Sequence, residues 1–327
     1  MKSPFVNGSQ AWPLRCTKDE PVQIISGDSR SKLLEIPDQT FHTCITSPPY
    51  WGMRDYGHLG QIGAEDNLQE YVESLASCFR EVRRVLRADG TFWLNIGNTY
   101  TSGGRAWRDK DMKNKGRAMS YRPDTPDGLK PKDLIGVAWM VAMALQLDGW
   151  YLRSDIIWHK PNCQPESVKD RVTVSHEYLF MFSKNENYYF DQEAIKETTA
   201  DGLGRKNKRT VWAINTEPCK EAHFAVFPRA LVRPCILAGS PSNGVVLDPF
   251  FGSGTVGIVA IETGRRCVGV EAKPEYVDIA KSRVNASPSL LFTEQGSRTA
   301  KSHELHKGPF AIPRSAAFVR RRHRNTN

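Results

Sequence analysis

Residues 245–271 read VVLDPFFGSGTVGIVAIETGRRCVGVE. A short apolar run ends at Asp248, as a buried strand would. Gly252, Gly254 and Gly257 then stand in the spacing G-x-G-x-x-G, a helical stretch follows, and a second strand over 266–270 ends at Glu271. Glycines so placed permit a tight strand-to-helix turn and let a ligand approach the backbone closely. Glu271 lies 17 residues beyond Gly254, where a carboxylate can accept hydrogen bonds from both hydroxyls of a ribose. The unit therefore predicts an adenosine-binding half-fold. A P-loop would carry lysine after the turn, and Gly254 is followed by Thr255-Val256. A nicotinamide site would fit the glycines, but such a unit usually opens its domain, and about 240 residues precede this one. Asp248, four residues before the turn, can receive the ammonium of an amino-acid cofactor, a group that NAD lacks.

Working outward, strands are expected at 22–27, running into Asp28, and at 41–46. A helix is expected over 68–86, where Leu68, Val72, Leu75, Phe79, Val82 and Leu86 recur every three or four residues. An Asp89-Gly90 turn and a strand over 91–97 follow. Residues 101–131 lack periodicity and read as a long basic mobile loop. Beyond it the pattern predicts a helix at 132–146, strands at 151–158 and 176–182, and helices at 227–237 and 276–284. Strands alternating with helices argue for an α/β fold, a Rossmann-like, doubly wound, mostly parallel sheet with helices on both faces. The catalytic domain is expected to span 20–286, with 287–327 a basic, disordered tail.

Thr46-Ser47-Pro48-Pro49-Tyr50 directly follows a predicted strand. The two prolines fix the backbone and remove two donors, leaving the Ser47 and Pro48 carbonyls as acceptors. That suits an exocyclic amino group, which has two N–H donors and a conjugated, poorly nucleophilic lone pair. Acceptors on both hydrogens would localise the lone pair for attack on a methyl sulfonium. Tyr50 offers a flat face on which a flipped base can stack. The same tetrapeptide would also serve as a proline-rich turn with a packing tyrosine.

SPPY and DPFFGSGT resemble the catalytic and cofactor motifs of the amino-methylating DNA methyltransferases, which act on cytosine N4 or adenine N6. With the catalytic motif first, the order is similar to the permuted beta group. The resemblance covers residues 20–285 and includes GDS at 27–29, LRSDIIWHKPN at 152–162, HEYLFMFSK at 176–184, RTVWAINT at 209–216 and HFAVFPRALV at 223–232. It implies S-adenosyl-L-methionine as cofactor and double-stranded DNA as substrate. Ser47, Pro48, Pro49 and Tyr50 would then hold the target base. Asp248, Pro249, Phe250, Gly252, Ser253, Gly254 and Thr255 would line the cofactor pocket, with Glu271 on the ribose and Asp28 near the adenine ring. Phe227 and Pro228 would close over the methionine end. Serine at position 47 resembles the cytosine-N4 members more than the adenine-N6 members, which more often carry aspartate there. Methylation of RNA or protein, and nucleic-acid binding without catalysis, are the rival readings. Glutamine methyltransferases use a related motif but place the cofactor turn first.

The formal net charge is +9. Residues 105–132 hold nine Lys or Arg against four Asp, and 320–324 read RRRHR; clusters of this kind release counterions on meeting phosphates. Arg105 and Arg117 in the first segment, and Arg205, Lys206, Lys208 and Arg209 within 197–215, a second stretch expected to be mobile, are the candidate DNA contacts. The solvated-loop reading has equal standing for each cluster. The seven cysteines form no C-x-x-C pair, so no metal site is expected, and an odd count without a scaffold pattern fits a reducing cytoplasm. No segment is long and apolar enough for a membrane span. Pro234-Cys235 superficially resembles the nucleophile motif of cytosine-C5 enzymes, but it lies in an apolar helix ahead of the cofactor unit. Trp93, Trp139 and Trp158 are expected in the core, and Trp51 either there or beside the base. A partner restriction endonuclease is compatible with the class, and the chain is expected to act as a monomer or homodimer.

Overall fold

The computed structural model describes residues 14–17, 19–53, 60–101, 123–218 and 225–287. Residues 288–327, nearly all of the tail expected over 287–327, lie outside the described residues.

Eight strands form one sheet. In chain order they are β1 (Val22–Ser26), β2 (Phe41–Thr46), β3 (Leu86–Ile96), β4 (Tyr151–His159), β5 (His176–Ser183), β8 (Val211–Ala213), β11 (Val245–Asp248) and β12 (Arg266–Glu271). Four two-residue strands make two small pairs: β6 (Glu197–Thr198) with β7 (Arg205–Lys206), and β9 (Glu217–Pro218) with β10 (Ala225–Val226). The spatial order of the main sheet is β1-β12-β11-β2-β3-β5-β4-β8. Every neighbouring pair is parallel except those that involve β5, which is antiparallel to both β3 and β4. The doubly wound, mostly parallel architecture read from the sequence is the one observed.

The helices are α1 (Ser29–Leu34), α2 (Leu68–Val85), α3 (Val137–Leu147), α4 (Arg229–Gly239), α5 (Thr255–Glu262) and α6 (Pro274–Asn285). Strand residues alternate between the two faces, and the burial follows suit. Cys44, Phe92, Leu94, Leu247 and Val268 join one core cluster with residues of α1, α2 and α3. Ile45, Trp93, Val246 and Cys267 join another with residues of α4, α5 and α6. Three layers result, and the central strands are covered on both faces. Trp158 joins the second cluster and the half-buried Trp139 packs against the first. Trp51 is buried in the first cluster, its indole N–H donating to the Glu65 carbonyl at 3.0 Å, which places it in packing.

Three local expectations are corrected. The helix read from 132 begins at Val137, because Lys132 has φ +74° and Gly136 φ +76°, left-handed conformations that a helix cannot contain. Asp89-Gly90 does not end an element. The register between β2 and β3 jumps from Phe41–Leu86 to Thr43–Thr91, so these residues form a bulge within β3. Segment 197–215, read as mobile, holds the β6–β7 pair and β8. It is anchored by Trp212, which is buried and donates to the Arg209 carbonyl at 2.6 Å.

Phe251 shows how the glycine-rich unit is packed. Its ring is buried against three glycine backbones, Gly254, Gly257 and Gly269. A Cβ at Gly257 would lie 2.7 Å from the ring, and one at Gly269 would overlap it outright. The third glycine of the G-x-G-x-x-G run therefore serves helix–strand packing. Gly269→Ala is expected to destabilise the fold by about 1–3 kcal/mol through overpacking, read as a melting temperature several degrees lower. Adding Phe251→Leu should recover part of the loss. An unchanged melting point in Gly269→Ala would show that the ring can move aside.

Candidate active site

β2 and β11 are adjacent and parallel, with Thr43 beside Val246 and Cys44 beside Leu247. From β2 the chain returns through α2 to β3 on one side; from β11 it returns through α5 to β12 on the other. The carboxyl ends of such a pair bound a crevice, the usual ligand site of an open α/β sheet. Ser47–Tyr50 leave one strand there and Asp248 ends the other. Thr46 Oγ1 donates to Asp248 Oδ1 at 2.6 Å, joining groups 202 residues apart in the chain.

The turn after β11 is built by backbone and carboxylate together. Gly252 has φ +49° and Gly254 φ +83°, conformations that glycine adopts at little cost. Glu271 Oε2 accepts the Gly252 amide at 2.7 Å and Oε1 the Lys273 amide at 2.8 Å. Burial is the main cause raising the Glu271 pKa, and these amides act against it. Asp248 is 1% exposed. Burial pushes its pKa up to about 7, against the pull of Thr46 and the Phe250 amide, with the nearby Glu271 adding to the rise. Its Oδ1 takes the Thr46 hydroxyl and the Phe250 amide, whereas its Oδ2 is buried with no partner among the described residues. A buried carboxylate oxygen left bare is costly, and a cationic ligand would satisfy it. Thr255 Oγ1, one residue past the turn, is likewise buried without a partner.

The remaining residues of this set are placed as follows. The Pro249 carbonyl accepts the Ser29 hydroxyl, and Ser253 is held by Arg283 of α6. Phe250 is half-buried, edge-on to Phe79 at 6.2 Å. Asp28 caps α1 through the Arg30 amide at 2.8 Å and binds the Arg30 guanidinium, 2.7 Å from Nη2. It stands beside Glu271, since Gly27 donates to the Glu271 carbonyl at 2.9 Å. Phe227 packs on the second core cluster and Pro228 precedes α4. Among the described residues no hydrogen bond ties either to Asp248 or Glu271.

Across the crevice, Tyr71 donates from its hydroxyl to the Pro49 carbonyl at 2.8 Å, and the Met53 amide donates to the Tyr50 carbonyl at 3.2 Å. Among the described residues no donor occupies the Ser47 or Pro48 carbonyl. Ser47 Oγ lies 3.5 Å from the Tyr50 hydroxyl, which donates to Glu177 Oε2 at 2.8 Å. Asn95 Nδ2 reaches the same oxygen at 3.1 Å, and the Lys160 ammonium pairs with Oε1. Sequence reading missed Asn95, Lys160 and Glu177. The available signal was a charged residue at the end of an apolar strand, as in IIWHK and HEYLFMF.

Of the candidate DNA contacts, Arg105 and Arg117 lie outside the described residues. Arg205 and Arg209 are exposed and Lys206 half-buried. Lys208 is turned inward, 2.8 Å from Glu197 and over the Trp212 ring at 4.7 Å, because a half-buried ammonium needs such partners. Cys235 is fully buried on α4, its thiol bonded to the Leu231 carbonyl and its pKa pushed far up by burial, so it is no nucleophile. No group of three or more His, Cys, Asp or Glu side chains is placed to hold a metal among the described residues, and no helix there is long and apolar enough to cross a membrane.

Similarity to known proteins agrees with this arrangement. The DNA methylase family of N6 and N4 enzymes matches residues 41–282. The chain is 63% identical over 263 residues to the type II methyltransferase M.SmaI of Serratia marcescens, covering 80% of this chain and 90% of that one. It is 55% identical to the type II methyltransferase M.Cfr9I of Citrobacter freundii, covering 82% and 90%. The fold is shared with the cytosine-N4-specific PvuII DNA methyltransferase, at TM-score 0.62 and 23% identity over 80% of this chain and 86% of that one. A Thermus thermophilus protein described as a DNA modification methylase and solved with S-adenosyl-L-methionine superposes at TM-score 0.55 and 25% identity, covering 80% and 93%. The chain belongs to the N6/N4 DNA methylase family and is a DNA methyltransferase.

Proposed function

We propose that the crevice between β2 and β11 brings S-adenosyl-L-methionine and a flipped base together, and that the amino group methylated is cytosine N4 in preference to adenine N6. The observation that carries the reading is the Thr46–Asp248 hydrogen bond, which fixes the two motifs edge to edge. The buried Asp248 Oδ2, unpartnered among the described residues, fits the cofactor's ammonium, and the Glu271 carboxylate beside the glycine turn fits its ribose hydroxyls. Bound there, the cofactor supplies an electrophilic methyl group. Ser47 Oγ and the Ser47 and Pro48 carbonyls, which no described donor occupies, are acceptors for the amino hydrogens, and Tyr50 stacks on the base. Holding both hydrogens draws the nitrogen lone pair out of conjugation and towards the methyl carbon. The methylated amine then loses a proton to water, so no strong general base is required. Serine at position 47, by its resemblance to the cytosine-N4 members, favours cytosine.

Backbone phosphates are assigned to Arg205, Lys206 and Arg209 on the β7–β8 segment, with Arg105 and Arg117 on the longer basic segment. The type II relatives support pairing with a cognate restriction endonuclease. The catalytic unit is assigned to 20–286 and the basic remainder to a separate tail.

Incubating the protein with methyl-labelled S-adenosyl-L-methionine and mixed-sequence duplex DNA, then digesting to nucleosides for mass spectrometry, should yield labelled N4-methylcytosine. Labelled N6-methyladenine would replace the target base. No labelled nucleoside from protein that binds the cofactor would overturn the reading.

The Asp248 assignment also fixes a pH dependence. Its folded pKa of about 7 lies above the ordinary 3.8, so the free protein binds more protons than the unfolded chain between these values. Its stability contribution is present at low pH and is lost as pH rises through about 7. A cationic ligand prefers the ionised carboxylate, so cofactor affinity should move the other way and tighten about tenfold between pH 6 and 8. Asp248→Asn should bind weakly with a flat profile. A flat profile in the unaltered protein would separate Asp248 from the ammonium.

A further inference from the structure

The polar contacts behind Tyr50 converge on Glu177. Because β5 runs against its neighbours, its first residues lie at the carboxyl ends of β3 and β4: Tyr178 pairs with Ile96, and Glu177 with Trp158. A forward-running strand would have put its last residues there. The Glu177 carboxylate takes the Tyr50 hydroxyl at 2.8 Å, the Asn95 amide at 3.1 Å and the Lys160 ammonium. Asn95 is itself buried and also donates to the Tyr178 carbonyl at 3.1 Å. Lys160 lies over the Trp158 ring at 4.3 Å. The Lys160 and Glu177 side chains are only 17% and 19% exposed, so each is costly to leave alone.

A second observation concerns the backbone. A Cβ at Gly97 would stand 3.1 Å from Tyr50 Cε2 and 3.2 Å from Glu177 Cγ. The chain is bare at the point where the tyrosine ring and the glutamate meet. Burial, and after it the Glu177 charge, drive the Tyr50 pKa well up, so its hydroxyl remains a donor. A phenol ring pinned at its hydroxyl and at its backbone cannot swing about its side-chain torsions.

We propose that Glu177, supported by Lys160 and Asn95, is a positioning residue for methyl transfer: by holding the Tyr50 hydroxyl it fixes the plane of the ring on which the target base stacks. This rests on the assignment of Ser47–Tyr50 to the base pocket. Misalignment of the base lowers the rate of the chemical step rather than cofactor binding, because orientation is gained only when the base is in place.

The test is a double-mutant cycle of Glu177→Ala and Tyr50→Phe, with turnover and KM measured on mixed-sequence duplex DNA alongside the cofactor Kd and the melting temperature. Each single variant should lose roughly 10- to 100-fold in kcat, with cofactor Kd unchanged. The double variant should lose no more than the worse single, since both remove one contact. Glu177→Gln, which keeps an acceptor for the hydroxyl, should recover part of the rate. Losses that multiply, or a Glu177→Ala variant whose cofactor affinity falls along with turnover, would overturn the proposal; some loss of melting temperature is expected either way, because Lys160 is left without its partner. Tyr50→Phe is nearly isosteric, and an unchanged kcat in it does the same. Tyr50→Ala separates the two readings. If it keeps full turnover, the base-pocket assignment fails; if it is inactive while Glu177→Ala is normal, only the positioning role fails.

Discussion

Replacing Ser47 with alanine is expected to cut turnover by about 100-fold while the cofactor Kd stays within about twofold. The amino nitrogen gains positive charge as it takes the methyl group, so an acceptor on its hydrogen is worth more in the transition state than in the ground state. Interactions of that kind appear in kcat rather than in KM. A hydrogen bond to a charged group is worth about 1.5–3 kcal/mol, and each 1.36 kcal/mol is about tenfold in rate. Ser47 has no hydrogen bond to the glycine turn; its neighbour Thr46 carries the link to Asp248. Among the described residues its hydroxyl has one hydrogen-bond partner, the Tyr50 hydroxyl, at a long 3.5 Å, so its removal should leave the fold intact. Parallel losses in turnover and cofactor affinity would instead place Ser47 in the cofactor site.

The fold was readable because the signals that encode it are local. Short apolar runs marked the strands, the recurrence every three or four residues marked α2, and the glycine run marked the turn after β11. What the sequence concealed depends on partners far away in the chain. Nothing near Glu177 says that β5 runs backwards, yet that reversal carries the glutamate to Tyr50, 127 residues earlier. Gly97 reads as the end of a strand, and its purpose emerges only with two side chains against it. The late start of α3 turned on Lys132 adopting φ +74°, which propensity does not foretell. In the basic segment 197–215, charge alone gave Lys208 and Arg209 the same weight. The fold separates them, since Lys208 closes on Glu197 and Trp212 while Arg209 faces solvent.

Glu271→Ala should give the opposite signature to Ser47→Ala: cofactor Kd weaker by about 100-fold, with kcat at saturating cofactor close to normal. The carboxylate closes the turn by accepting the Gly252 and Lys273 amides, and in the proposed site its oxygens would also take the ribose hydroxyls, since each can accept more than one hydrogen bond. Burial raises its pKa, so the ionised form is disfavoured, and the two amides are what hold an acceptor there. Removing it deletes a half-buried charge from the free protein, which offsets the two lost backbone bonds; the melting point without cofactor should hardly move. The rise in melting point on adding S-adenosyl-L-methionine should shrink or vanish, because stabilisation by a ligand scales with the logarithm of its concentration over Kd. Glu271→Gln keeps one acceptor oxygen and should fall between, weakening binding by about tenfold. If Glu271→Ala binds the cofactor as tightly as the unaltered protein, the carboxylate serves the turn alone, and the ribose must be held by groups elsewhere along the crevice.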